Sequence, residues 1–263
     1  MKKSILLMAL CALLAACHID IKPDSSSPSG TAATRVLDID GTYKALEVSS
    51  AFHVVMSDTV TVPTVTVAER MMDKVVVLIE NRTLKIGFKP GHIRLDGDAT
   101  VLLPYNEALR SVELSGASHF TSTKPMGRDL AKVEASGASV YEGDLSGATV
   151  EIELSGASYF RGSVDAGTLD IEASGASHAV VSGTCNHEME LDISGASDVD
   201  ARDLDATTVR GEVGGASNVD VTICDELRLE ASGASHITYK TLADGCEPAI
   251  RVSTTGASTI RQR

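Results

Sequence analysis

Apolar and polar residues alternate along most of this chain, and no 3.6-residue rhythm interrupts them. Ile152 and Leu154, Ile171 and Ala173, Leu191 and Ile193, and Leu229 and Ala231 each stand two residues apart with an acidic or arginine neighbour beside them. Such a period of two predicts half-buried β-strands. Two residues beyond each pair comes a glycine set among small residues, most often in the tetrad Ser-Gly-Ala-Ser. The tetrad glycines are Gly116, Gly137, Gly156, Gly175, Gly195, Gly215, Gly233 and Gly256, at intervals of 21, 19, 19, 20, 20, 18 and 23 residues. Four residues after each glycine the apolar pattern resumes, at Phe120, Tyr141, Phe160, Ala179, Val199, Val219, Ile237 and Ile260.

A period near twenty, with two strands and one sharp corner per circuit, predicts a right-handed parallel β-helix-like solenoid over 109–263. Equivalent strands of neighbouring coils then lie about 4.8 Å apart. Glycine at the corner supplies φ > 0 without steric cost, and serine hydroxyls can satisfy the corner's backbone groups. No proline occurs between 127 and 247, so none removes a ladder hydrogen bond there. One further copy, "LSGAT" at Gly147, falls half a period out of step and suggests two related halves in each coil.

Residues 36–108 lack the tetrad but stay strand-like in "ALEVSS", "FHVVMS", "TVTVAE", "KVVVLIE", "RTLKIGF" and "ATVLLP". "AERMMDK" suits a single helical turn. The segment is expected to form either the opening coils of the solenoid or a small β cap on it, since a solenoid end needs cover.

The N-terminus changes the picture of where the protein works. "MKKSILLMALCALLAAC" has a basic start, an apolar stretch and small residues before Cys17, the pattern of a secretory signal. Its end resembles a bacterial lipobox. Residues 1–17 are thus expected to be a lipoprotein signal peptide ending at a lipidated Cys17, with an ordinary cleavage site as the alternative. Two or three acyl chains would anchor the protein stably to a membrane. Residues 18–35, rich in Ser, Pro and Thr, are expected to be a flexible tether.

The formal charge is −13, and removal of Lys2 and Lys3 with the signal gives −13 − 2 = −15. Nucleic acid is therefore not an expected partner. There is no tryptophan, which counts against a sugar site built on aromatic stacking.

The stretches "ALEVSSAFHVVMSDTVTVPTVTVAE", "NRTLKIGF" and "VLLPYNEALRSVELSGASHF", together with the recurring tetrads, resemble the head GIN domain family (DUF2807, putative auto-transporter adhesin) over roughly 40–260. The resemblance implies an all-β, β-helix-like fold in an exported protein, often a lipoprotein, with adhesion as the suggested role. It carries over no catalytic residue.

The residues themselves agree on that last point. Walker loop, HExxH, GxSxG, CxxC and the calcium-binding GGxGxD are all missing. Three outward rows remain. Three residues after the glycines stand His119, Val140, Tyr159, His178, Asp198, Asn218, His236 and Thr259. Of these His119, Tyr159, His178, Asp198, Asn218 and His236 form a candidate ligand row, or simply a solvated face. Three before the glycines stand Glu113, Glu134, Glu153, Glu172, Asp192, Glu212 and Glu230, an acidic ladder. Five before stand Lys132, Glu151, Asp170, Glu190, Arg210, Arg228 and Arg251. The arginines can neutralise Glu212 and Glu230. Glu151, Glu153, Asp170, Glu172, Glu190 and Asp192 are left as two columns of like charge, which destabilise a sheet. Water and salt can screen them; otherwise weak Ca²⁺ binding is expected there, and no other cofactor.

Cysteine spacing makes one more expectation. Cys185 lies ten residues before Gly195, Cys224 nine before Gly233 and Cys246 ten before Gly256. The count puts them in one column, with Asp205 in the coil between the first two. Neighbouring coils bring Cα atoms within disulfide range, whereas a two-coil gap of about 10 Å does not. A Cys224–Cys246 bond and a free Cys185 are expected, three unpaired thiols being the alternative.

The functional expectation is an exported, lipid-anchored binding or scaffold protein of the cell envelope, in the outer membrane, with an unidentified protein or glycan partner. The alternatives are a polysaccharide-active β-helix enzyme and a periplasmic ligand carrier.

Overall fold

The computed structural model describes residues 31–91, 97–242 and 246–263. The signal segment and Cys17 lie outside the described residues. The chain forms a β-solenoid of about 7 turns with coils of about 20 residues. Its strands are β1 (Ala32–Val36), β2 (Ala45–Val48), β3 (Phe52–Ser57), β4 (Thr64–Ala68), β5 (Val75–Glu80), β6 (Thr83–Phe88), β7 (Ala99–Pro104), β8 (Ser111–Leu114) and β9 (His119–Ser122). They continue as β10 (Leu130–Ala135), β11 (Val140–Glu142), β12 (Leu145–Leu154), β13 (Tyr159–Ala173), β14 (His178–Ile193), β15 (Asp198–Val213), β16 (Asn218–Ala231), β17 (His236–Thr241), β18 (Ala249–Thr254) and β19 (Thr259–Gln262). A single 3-10 helix, Glu69–Lys74, is the only helical element among the described residues, and it falls in "AERMMDK".

From β8 onward each coil stacks in parallel on the last, in the register that tetrad counting implies: Val133 pairs with Val112 and Ile152, Ile171 with Ile152 and Leu191. Every tetrad glycine has φ between 72° and 78°. At each corner from Gly137 onward the alanine N–H donates to the glycine carbonyl of the coil before, as in Ala176 to Gly156 at 2.7 Å. The corner is thus part of the ladder and not a gap in it. The last serine of the tetrad points inward. Ser118, Ser139, Ser197, Ser217 and Ser235 are buried. Each satisfies its hydroxyl by donating to the carbonyl three residues back.

Apolar side chains fill the space between the two strand faces. The positions four residues after the glycines are buried from Phe120 through Ile237. Phe120, Tyr141 and Phe160 stack with ring centroids 5.3 Å apart at each step.

Residues 36–108 are both coil and cap, in an order that sequence cannot suggest. β2 and β3 form a coil that lies directly under β8 and β9. The chain then leaves it, and β6 and β7 return to form another coil on its far side. Antiparallel strands close that end, β5 on β6 and β4 on β7, with β1 on β4. Thus β1 occupies the end of the segment expected to be a tether, where Ala33–Arg35 pair with Val65–Val67 at the edge of the cap. The β2–β3 corner has no glycine; Ser50 and Ala51 take φ of 66° and 60° themselves.

Two further expectations are corrected. "LSGAT" does not mark a related second half of the coil with its own tetrad turn: Gly147 lies within β12, has no positive φ, and pairs with Ala166 in the ladder. Nor do the cysteines share one column. Cys185 pairs with Ala206, whose next neighbour is Ile223, while Asp205 pairs with Thr184. Register shifts near the second bend of each coil make residue counts from the glycine unreliable there. Cys185 faces the core, free and buried. Cys224 and Cys246 are joined, with Cα atoms 4.8 Å apart.

Candidate functional site

The strand that precedes each corner alternates strictly, so every outward residue three before the glycine stands over its counterpart in the next coil. Cα pairing links Glu47, Glu113, Glu134, Glu153, Glu172, Asp192, Glu212 and Glu230 in an unbroken run. Glu47 extends the ladder beyond what the tetrads could reveal. At that end Lys85 pairs with Glu47 at 3.3 Å.

The second column, five before the glycines, supplies the countercharge. Lys132 reaches Glu153 at 2.6 Å, Glu134 at 3.0 Å and Glu151 at 3.5 Å. Burial works against its charge, but the carboxylate hydrogen bonds win and hold its pKa above the ordinary lysine value. Glu151 and Glu153 are therefore not left unpaired, contrary to the expectation for the six-carboxylate block. Arginine pairing also differs from the expectation, since the arginines form no ion pair with Glu212 or Glu230. Arg210 bonds Glu188 at 2.9 Å and Glu226 at 3.0 Å, and Arg251 bonds Glu226 at 2.9 Å. Glu188 and Glu226 lie on the same strands two residues nearer the bend, a row that the tetrad reading did not single out.

Of the six-carboxylate block, Asp170, Glu172, Glu190 and Asp192 remain without an ion pair among the described residues, and on the ladder Glu113, Glu212 and Glu230 also have none. Partial burial first, then repulsion from Glu190, Glu151, Glu153 and Asp192, raises the pKa of Asp170. Glu172 is raised by partial burial and by Glu153, Asp170 and Asp192. Beside this ladder runs an open trough of about 300 Å³, floored by Glu113, Glu134, Glu153, Glu172 and Asp192 and flanked by the first serines of the tetrads. It is long, shallow and acidic. Among the described residues no three His, Cys, Asp or Glu side chains are already gathered where a metal ion could sit. The ladder spreads its carboxylates along an axis instead of around a point.

The row three after the glycines lies on the other side of the corner. His178 Nδ1 is 3.0 Å from Asp198 on the next coil, and its ring stacks on Tyr159 at 5.3 Å. Arg161 donates to the Tyr159 hydroxyl at 2.8 Å. Asn218 and His236 are exposed, and His236 Nδ1 lies 3.2 Å from the Ala234 carbonyl. His119 belongs to a separate group, divided from Tyr159 by Val140. It contacts Glu142 at 3.1 Å and stacks on His53 at 4.4 Å. His53 escaped the sequence reading because its corner, "SSAF", has no glycine to mark it.

No catalytic arrangement emerges from these rows. Among the described residues of these rows, the contacts are ion pairs and ring stacks on an open surface.

The fold is shared with solved structures. A putative adhesin from Parabacteroides distasonis has the same fold, with a TM-score of 0.77 at 17% identity, over 89% of this chain and 98% of that one. A putative adhesin from Parabacteroides merdae gives 0.70 at 18%, over 95% and 100%. A protein from P. distasonis described as a putative lipid binding protein gives 0.72 at 17%, over 89% and 97%. No curated protein matches the chain. The family described as putative auto-transporter adhesin, head GIN domain, matches residues 42–243, and this chain belongs to it.

Proposed function

We propose that this protein is a lipid-anchored binding module of the cell envelope that uses its acidic face to hold a cationic protein segment. The observation that carries the reading is the unbroken acidic ladder with its trough, displayed on a rigid rod of stacked coils. A solenoid offers an extended surface whose spacing is set by its backbone, which suits an elongated partner. The carboxylates of this face that have no ion pair, Asp170, Glu172, Glu190 and Asp192 among them, give that partner something to neutralise, and charge complementarity speeds and orients such encounters. Cys17 would fix the rod to a membrane through the segment before β1, with the outer membrane as the expected site.

An oligolysine peptide is the direct probe. The protein should bind it with an affinity that falls steeply with salt, and the Glu153→Gln, Glu172→Gln, Asp192→Asn variant should lose most of that binding. Equal binding by the two proteins would sink the reading. Anchoring is tested apart from it: Cys17→Ser should move the protein from the membrane to the soluble fraction. The ligand-carrier alternative has a relative described as lipid binding on its side, but the interior of the coils is filled by side chains from Val112 to Ile237.

A further inference from the structure

We propose that the cap end of the rod rests on the membrane through an outward apolar row that begins at β1, its partner being a lipid surface. This rests on the lipid-anchored reading and uses no residue of the acidic face.

The row crosses four strands. Val36 on β1 is the Cα partner of Thr64 on β4, Thr64 of Leu102 on β7, and Leu102 of Val55 on β3. One residue along, Val65, Val101 and Val54 are paired in the same way and are fully buried, so the first row faces outward. Val36 is 63% exposed and Leu102 38%, and Val62, two residues before Thr64, is 49% exposed. The outward row beside it is Thr34, Thr66, Thr100 and His53, with the hydroxyls of Thr34 and Thr66 2.9 Å apart. Neither row holds a carboxylate. Past Val55 the first row continues through Thr121 to Glu142, where charge begins. The apolar stretch is thus confined to the cap end. One exposed valine needs no explanation, but an apolar row at the edge of an acidic molecule marks a contact surface.

Three observations choose lipid as the occupant. β1 begins at Ala32, 15 residues after Cys17, so the cap is the first described part of the fold that the chain reaches from its anchor. Charge is also uneven. Residues 31–91 hold seven basic and seven acidic side chains, 7 − 7 = 0, whereas 97–263 hold 12 and 26, 12 − 26 = −14. An anionic bilayer therefore repels the repeat body and not the cap, which leaves the cap end down and the acidic ladder free. Finally, among the described residues β1 pairs with β4 alone, so one edge of it is open. Its outer backbone groups need water or lipid headgroups, which places the contact in the headgroup layer and not in the hydrocarbon. A row this short needs the anchor's help. On a tether the docking step is intramolecular, and a modest contact then suffices.

The chain from Cys17 onward offers one reactive thiol, Cys17 itself, because Cys185 is buried and Cys224 and Cys246 are joined. Coupling it to maleimide-bearing vesicles of phosphatidylethanolamine and phosphatidylglycerol supplies the anchor chemically, so failure of docking and failure of anchoring in cells are read apart. Hydrogen exchange of the coupled protein, compared with the same protein capped by a soluble maleimide, tests the contact. Amides of β1 and β4 should exchange severalfold more slowly on vesicles, while those of β14 and β15 should not change. The Val36→Asp, Leu102→Asp variant, its fold checked by circular dichroism, should lose the slowing. Equal exchange on and off vesicles overturns the proposal, as does slowing that persists in the folded double variant. Slowing at β1 in the soluble, capped protein as its concentration rises would assign the row to a second copy, and overturns it too.

Discussion

The carbonyl oxygen of Gly156 lies 2.5 Å from the point that a Cβ on Gly175 would occupy. Gly175 also holds φ at 78°. The carbonyl leaves no room for a side chain and the positive φ disfavours one, and every corner from Gly137 onward repeats both. The glycine carbonyl cannot retreat, because it accepts the hydrogen bond from the alanine of the next coil. The tetrad is therefore a demand of stacking: one corner is tight because the corner beneath it is tight.

Gly175→Val should consequently be much worse than Ala173→Val, although Ala173 is the more buried of the two. Overfilling the core at Ala173 costs about 1–3 kcal/mol. A branched side chain at Gly175 adds a left-handed backbone penalty of about 1–2 kcal/mol to a clash with main chain that has nowhere to go. Urea unfolding curves of the two variants decide it. Equal midpoints would remove the corner argument.

The aromatic stack gives a second test. Tyr141 is fully buried between Phe120 and Phe160, and its hydroxyl has no hydrogen-bond partner. Burial drives its pKa upward, so the phenol stays neutral. A buried hydroxyl without a partner costs about 1–3 kcal/mol. Tyr141→Phe should therefore be as stable as the parent or more stable, by about 1 kcal/mol, while Tyr141→Ala should lose about 3–5 kcal/mol. A clear loss in Tyr141→Phe would show that the hydroxyl has a partner, such as an internal water.

Reduction of Cys224–Cys246 should loosen one end and leave the rest intact. The bond spans 22 residues, for which the chain-entropy argument suggests about 3 kcal/mol. It ties β16 to the segment before β18, and β18 is exposed along its whole length. Coils of a solenoid touch only their neighbours, so the loss stays local. With reductant present, amides of β17 to β19 should exchange faster while those of β13 and β14 keep their protection. Cys185 should resist alkylation throughout, being buried with its thiol pKa raised by that burial. Uniform loss of protection would mean that the molecule unfolds as one unit.

These tests bear on what the sequence could and could not disclose. The repeat body was legible because its register hangs on a glycine that nothing can replace, and the two charged columns follow from alternation alone. Near the second bend the signal fails. There the extra residues around Gly167 and Asn186 are absorbed as ladder irregularities without a fixed residue type, which is why Cys185 and Asp205 fell one position from their assigned places. The β2–β3 coil was hidden for a different reason: Ser50 and Ala51 accept positive φ without glycine. With that corner unrecognised, His53 could not be aligned with His119. Ion pairing was the least legible part. Lysine and arginine stems span more than one coil, so Lys132 and Arg210 choose among several carboxylates that spacing alone ranks equally.

The unpaired block makes the last prediction. Asp170 and Glu172 both have folded-state pKa values raised by partial burial and by like charges. A carboxyl whose folded pKa lies above its unfolded one binds protons more tightly in the native state, so it penalises folding when ionised. The penalty is full at neutral pH, fades as pH falls through the raised folded values, and is gone below the ordinary carboxylate range, where both states are protonated. Substituting Asp170→Asn with Glu172→Gln should therefore stabilise the protein near pH 7. Because Glu172 is exposed and Asp170 only partly buried, screening keeps the gain below about 1 kcal/mol. The gain should shrink as pH falls toward about 4 and as salt rises at constant pH. Lys132 remains charged across this whole range, so its pairs with Glu151 and Glu153 contribute alike to both proteins until those carboxylates themselves protonate. Melting temperatures of parent and variant, measured in parallel from pH 4 to 8, provide the check. A gain that stays constant with pH would show that packing, and not charge, distinguishes the two proteins.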